Sequence, residues 1–188
     1  LTTDSKIVQK NYKEKINANF IYLPAPLDAK KFNNIGKIEK KENQIIYIGR
    51  DSYEKGIDIL KSIESKINGP VVYCTDFSWI KTMQILKSSK LLIVPSRMES
   101  IPQVVKEAFY LKIPVIATNV GGVSEIVKNE ITGILIPPEN PEKMINAINN
   151  LLENDLLIDK ITRNAFEFIS KNFTWDVLLP KYIELYEN

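Results

Sequence analysis

Along the 188 residues, apolar positions fall into two alternating patterns. Short unbroken runs occur at Ile45 to Ile48, Val71 to Cys74, Leu91 to Val94, Val115 to Ala117 and Ile134 to Ile136. Runs of this length without polar alternation predict parallel strands covered on both faces. Between them the apolar residues recur every three or four positions, as in Ile57, Leu60, Ile63 and Ile67, and again in Trp79, Met83 and Leu86, which is the spacing of a helix with one buried face. Asn140-Pro141-Glu142 supplies an N-cap, a proline in the first turn and an early acid, and Met144, Ile145, Ile148, Leu151 and Leu152 give the helix that follows an apolar face. Asp155 can open another helix, with Ile161, Ala165 and Phe168 inward, and the tail from Trp175 to Tyr186 carries enough apolar surface to pack on the body. At the other end, Thr2 to Asn19 reads as a helix, Phe20 to Pro26 as an extended segment, and Lys30 to Asn43 as a solvated linker. Strand and helix in repeated alternation predict an α/β fold with an open parallel sheet. Ligands of such sheets lie beyond the C-terminal ends of the strands, so candidate chemistry is sought in those loops.

Composition narrows the classes of function. With 44% hydrophobic and 26% charged residues the chain is neither disordered nor membrane-spanning, and no run approaches the roughly 20 apolar residues a bilayer crossing needs. A formal charge of +2 is too balanced to indicate nucleic-acid binding. There is no histidine, which excludes the usual zinc clusters and histidine-dependent triads. The single cysteine, Cys74, excludes an internal disulfide, and its apolar run reads as a buried position in a reducing, cytoplasmic setting. The chain opens on Leu1 rather than methionine, which suggests an excised part of a longer protein.

Three loops carry candidate chemistry. Gly49-Arg50 follows the first strand of the series, and Lys55-Gly56 stands at the entry to the next helix. Two cations beside a helix N-terminus suit a diphosphate, although loop cations are commonly only solvated. After the Leu91 to Val94 strand, Glu99 precedes a helix and Glu107 lies within it, with Ser100 placed to cap that helix and Pro102 in its first turn. A carboxylate accepts two hydrogen bonds at once and so suits vicinal hydroxyls of a ribose or sugar ring. An isolated pair of this kind would need no ligand, since Glu99 would favour the helix dipole and Glu107 would face solvent. After the next strand, Gly121-Gly122 permits close approach of backbone to a ligand, or simply a tight turn.

Taken in order, Gly49-Arg50 with Lys55-Gly56, Pro95-Ser96 with Glu99 and Glu107 separated by seven residues, Thr118 to Glu125, and Gly133-Ile134-Leu135-Ile136-Pro137-Pro138 resemble one known family. It is the C-terminal, donor-binding domain of GT-B retaining glycosyltransferases of family 4, the group 1 transferases. The resemblance runs from Ile21 to Tyr186 and implies a Rossmann-like open parallel sheet with helices on both faces. On it, residues 1–27 are the end of an N-terminal domain and a linker, 28–174 the nucleotide-sugar-binding domain, and 175–188 a helix packing back on the body. It further implies that Arg50 and Lys55 hold the donor diphosphate, Glu99 faces the transferred sugar, and Glu107 binds the ribose hydroxyls. Ser100, Ile101, Gln103, Val104, Gly121 and Gly122 would surround the nucleotide, with no metal and no cofactor beyond a UDP-, GDP- or ADP-sugar. Ser100-Ile101-Pro102-Gln103 stands where the family has Gly-Phe-Gly after the first glutamate, and Val71 to Ser96 offers no obvious counterpart of its Gly-Asp-Gly-Pro-like loop. The partners implied are the nucleotide sugar, a missing acceptor domain, and an acceptor glycan, lipid or protein, without nucleic acid. Transfer by this chain alone is expected to be negligible. The implied setting is cytoplasmic, with peripheral association of the whole enzyme at the inner face of a membrane allowed. A non-catalytic nucleotide-sugar-binding or scaffold subunit would share the binding residues but not the turnover.

Overall fold

The computed structural model describes residues 1–187. Its centre is a five-stranded, wholly parallel sheet of β3 (Ile45–Ile48), β4 (Val71–Cys74), β5 (Leu91–Val94), β6 (Val115–Thr118) and β7 (Ile134–Ile136), in the spatial order β4-β3-β5-β6-β7. All five apolar runs are therefore strands. Alternation along each strand divides its side chains between two cores. Ile46, Leu92, Val94, Val115 and Ala117 face one side, where α3 (Trp79–Ser88) contributes Met83 and Leu86 and α4 (Gln103–Tyr110) contributes Val105, Ala108 and Phe109. Ile45, Tyr47, Leu91, Ile93 and Ile116 face the other, under α2 (Ile57–Ile63) and α6 (Pro141–Leu152). The 18-residue α7 (Asp155–Asn172) joins both cores, Ile161 entering the second and Ala165 and Ile169 the first. Helices on both faces follow, since each face of a parallel sheet exposes apolar side chains that must be covered. The short α5 (Val123–Ile126) completes the path from β6 to β7.

The chain steps from β3 to β4 on one side and then returns to lay β5 on the other side of β3. The loops leaving β3 and β5 diverge there and open a crevice at the C-terminal edge, the switch point of an open α/β sheet. In β4 the chain reaches the sheet edge and proceeds through the single helix α3 to β5.

Several local expectations are corrected. The segment read as one helix from Thr2 to Asn19 opens instead as β1 (Thr2–Thr3), and only α1 (Lys6–Lys13) is helical. β1 pairs in parallel with β2 (Ile21–Tyr22), so the extended segment finds its partner in the residues taken for a first helical turn. Residues 30–43 are not wholly a solvated linker. A 3-10 helix over Ala29–Ile35 buries Phe32 and Ile35, and the Phe32 ring packs on Trp79 and Tyr110. Helix α4 begins at Gln103 with Pro102 as its N-cap, so Ser100 does not cap it. The tail forms α8 (Trp175–Glu187) and buries only Leu178, while Tyr182 donates to the carbonyl of Pro24. The other apolar positions of α8 stay partly or largely exposed, among them Val177 and Ile183. No helix among the described residues is long and apolar enough to cross a membrane.

Candidate functional site

Gly56 shapes the loop after β3. It adopts a left-handed φ of 65°, and a Cβ there would lie 2.1 Å from the carbonyl oxygen of Pro95. Only glycine lets this turn press onto the strand end of β5. That contact delivers Lys55, just ahead of it, to Glu99. The Lys55 ammonium donates to Oε1 of Glu99 at 2.6 Å, and Ser96 donates to the same oxygen at 2.8 Å. The Glu99 side chain is 9% exposed and that of Lys55 27%, so the pair is largely removed from water and its attraction is only weakly screened.

A cleft of about 360 Å³ opens over this pair. Lys55, Glu99 and Glu107 line it together, as do Ser100, Ile101, Gln103 and Val104 from the loop into α4 and its first turn. The N-terminal turn of α4 therefore faces the cleft, where its amide dipoles favour an anion. Glu107, the fifth residue of α4, accepts a hydrogen bond at 2.8 Å from the indole of Trp79 on α3. Burial pushes its carboxyl above the ordinary value, and the Trp79 bond offsets part of that rise. One carboxylate is thus held by a cation and the other by an indole, both at the mouth of the switch-point crevice.

The remaining candidates are placed differently. Arg50 is exposed and does not line the cleft; its backbone carbonyl is fixed by the hydroxyl of Tyr47 at 2.7 Å. Gly121 and Gly122 do not line it either. They support it from behind. Gly121, at a left-handed φ of 50°, would put a Cβ 1.8 Å from the carbonyl oxygen of Glu99, and Gly122 would put one 2.5 Å from that of Ser100. Ser100 turns its hydroxyl to the Asp4 carboxylate.

Sequence reasoning missed three participants. Trp79 was assigned to a buried helix face, and nothing local marks its indole as the donor to Glu107. Lys106 is completely buried, donates to the carbonyl of Ala25 at 2.6 Å, and has its ammonium pushed down to about 8, chiefly by desolvation. Arg97, two residues before Glu99, reaches Asp58, Glu139 and the carbonyl of Tyr53. Cys74 is buried as expected, and burial pushes its thiol up to about 11.

Comparison with known proteins identifies the family and the fold. A family model described as glycosyl transferases group 1 matches residues 60–168, more than half of the chain. An uncharacterized glycosyltransferase of Methanocaldococcus jannaschii is 25% identical over 179 residues, covering 80% of this chain and 46% of its own length. The chain thus spans about half the length of that relative. Among solved structures, sucrose-phosphate synthase from Thermosynechococcus elongatus superposes with a TM-score of 0.86 at 20% identity, over 99% of this chain and 57% of the other. The Anabaena protein HepE in complex with UDP-glucose superposes with a TM-score of 0.85 at 16% identity, over 99% of this chain and 63% of the other. The family model matched over more than half of the chain and the doubly covered parallel sheet shared with the solved structures agree: the chain belongs to the group 1 glycosyl transferases and has the fold of their GT-B structures.

Proposed function

We propose that this chain is the C-terminal, donor-binding part of a retaining glycosyltransferase of family 4, which transfers a sugar from a nucleotide diphosphate to an acceptor hydroxyl. The observation that carries the reading is the convergence of Lys55, Glu99 and Glu107 on one cleft beside the N-terminus of α4. Lys55 and, from the rim, Arg50 are assigned to the diphosphate. Negative charge grows on that group as it leaves, and a cation that is already in place stabilises the transition state more than the ground state. Glu99 is assigned to the transferred sugar, where it positions hydroxyls and supports positive charge near the anomeric carbon. Its partner Lys55 is also the cation assigned to the diphosphate, so a bound diphosphate competes for that ammonium and frees a carboxylate oxygen for the sugar. Glu107, with one oxygen occupied by Trp79, keeps the other for ribose hydroxyls. UDP-glucose in the structurally similar HepE complex supports a nucleotide sugar as the donor class.

The acceptor site and the rest of the cleft belong, on this reading, to a further domain preceding residue 28, and the acceptor is a glycan, lipid or protein. The whole enzyme is proposed to act in the cytoplasm or at the inner face of a membrane. Calorimetric titration with UDP-, GDP- and ADP-sugars tests the donor assignment, and one of the three should bind saturably. Glu107→Ala and Arg50→Ala should each remove a charge-assisted contact of about 1.5–3 kcal/mol. Unchanged affinity in either variant sinks the role given to that residue. Retention is tested by the anomeric configuration of the product formed by the full-length enzyme.

A further inference from the structure

Arg97 gathers three loops at the C-terminal edge of the sheet. Its guanidinium makes a two-pronged bond to Asp58 at 2.8 and 2.9 Å, while Nη1 also donates to the carbonyl of Tyr53 at 2.7 Å. Its Nε donates at 2.6 Å to Glu139, beyond β7, a non-glycine residue in the left-handed region at φ 51°. Its guanidinium carbon stands 3.9 Å from the centre of the Tyr53 ring, and its backbone N–H donates to the carbonyl of Glu54 at 2.8 Å. The Arg97 side chain is only 14% exposed, while its partners Asp58 and Glu139 keep 56% and 59% of their side-chain surface in contact with solvent. It is therefore the number of bonds converging on one ordered guanidinium, rather than shielding from water, that holds the loops. Residues 53, 54 and 58 bracket Lys55 on both sides, and Glu99 lies two positions beyond Arg97 itself. One side chain thus ties the segment carrying the cation to the segment carrying its carboxylate partner. A planar guanidinium can do this because its five donors leave in fixed directions, whereas the three donors of a lysine ammonium radiate from one point and offer no two-pronged fork to a carboxylate.

We propose that Arg97 is a positioning residue that holds the Tyr53–Asp58 loop so that Lys55 stands ready at the diphosphate site before any ligand arrives. This rests on the donor reading given above. Preorganisation of that kind raises affinity by sparing the ligand the ordering of the loop. It bears on the phosphates that Lys55 meets and leaves the ribose contact of Glu107, on a different helix, untouched.

The test uses the full chain with UDP, GDP and ADP, each compared with its parent nucleoside. Arg97→Gln removes the fork. The double variant Asp58→Asn with Glu139→Gln weakens it from the exposed side and keeps the shape of every side chain, so it should fold even where Arg97→Gln does not. For the nucleotide the wild type prefers, either variant should lower diphosphate affinity by about five- to tenfold. Nucleoside affinity should stay the same, a split that general destabilisation would not produce. Amide hydrogen exchange in residues 50–58, measured without nucleotide, should accelerate in both variants. Equal loss for diphosphate and nucleoside, or unchanged diphosphate affinity, overturns the proposal. So does exchange that matches the wild type. A wild-type chain that binds none of the three nucleotides overturns the donor reading, while the exchange result still decides whether Arg97 orders the loop.

Discussion

At the scale of single residues, the site sets function against stability on helix α4, where Lys106 and Glu107 are neighbours and both are drawn out of water. Glu107 has a carboxyl raised above its unfolded value, mainly by burial. Its charged form therefore costs the fold stability above the raised value, and the cost vanishes below the unfolded one, where both states are protonated. Glu107→Gln keeps the acceptor for the Trp79 indole and removes the charge. It should raise the melting temperature of the ligand-free chain at neutral pH, the gain shrinking as pH falls through the carboxylate range, while it weakens nucleotide binding. A variant that melts lower at neutral pH would show that the charge is compensated in the fold. For Lys106 the sign runs the other way. Its ammonium is pushed from 10.5 to about 8, so between those values the unfolded chain holds a proton that the folded chain has released. Stability should rise with pH across that window, and Lys106→Met should lose the rise in parallel chemical-denaturation series at pH 7 to 11. An identical pH slope in the two proteins would remove the lysine as its cause.

At the scale of elements, two glycines set the separation of the loops that form the cleft. A Cβ at Gly56 or Gly121 would strike the carbonyl of Pro95 or Glu99, whereas Gly36, also left-handed at φ 71°, has nothing within 4 Å of its Cβ position. Gly36→Ala therefore measures a backbone cost without a collision, about 1–3 kcal/mol for a conformation (φ 71°, ψ −176°) that is nearly exclusive to glycine. Gly121→Ala adds a collision with main chain and should cost about 2–4 kcal/mol in urea unfolding, with weaker nucleotide binding because the Glu99 segment must move. Equal costs at Gly36 and Gly121 would mean that the loop yields freely. The strands were legible in the sequence because each buries both faces and so shows as an unbroken apolar run, and the helices α2, α3 and α6 were legible from their spacing. β1 was not, since two residues paired only with Ile21 and Tyr22 leave no run to read. Lys55 and Glu99 stood out because they lie in the loops that follow strands, and Glu107 because of its spacing from Glu99 within an ordered set of motifs. Arg97 did not, because its meaning depends on Asp58 and Glu139, each about 40 positions away and brought near only by the sheet.

At the scale of the whole molecule, Leu27 is anchored in the core, whereas residues 1–26 meet the body through a series of polar contacts. Glu125 accepts from the Ser5 hydroxyl and from the backbone N–H groups of Lys6 and Ile7, so it caps helix α1 from across the chain. Asp4 receives the Ser100 hydroxyl, and Lys106 holds the carbonyl of Ala25. The segment's own sheet is a single pair of two-residue strands, too small to be stable by itself, and Ile7, Tyr12, Ile16 and Ile21 on it remain exposed. The body, in contrast, has two continuous apolar cores that do not draw on residues 1–26. These differences predict two levels of stability in one chain. Glu125→Ala leaves the first N–H groups of α1 without their carboxylate, a loss of charge-assisted bonds worth about 1.5–3 kcal/mol locally. Limited trypsin digestion of that variant should cut rapidly at the lysines of α1, such as Lys10 and Lys13, while the remainder resists and melts cooperatively near the wild-type temperature. Such a pattern would support a boundary at residue 27. If digestion of the variant instead ran through the body at the same rate, the segment before residue 28 would be an integral part of the fold, and the proposed division of the chain would fail.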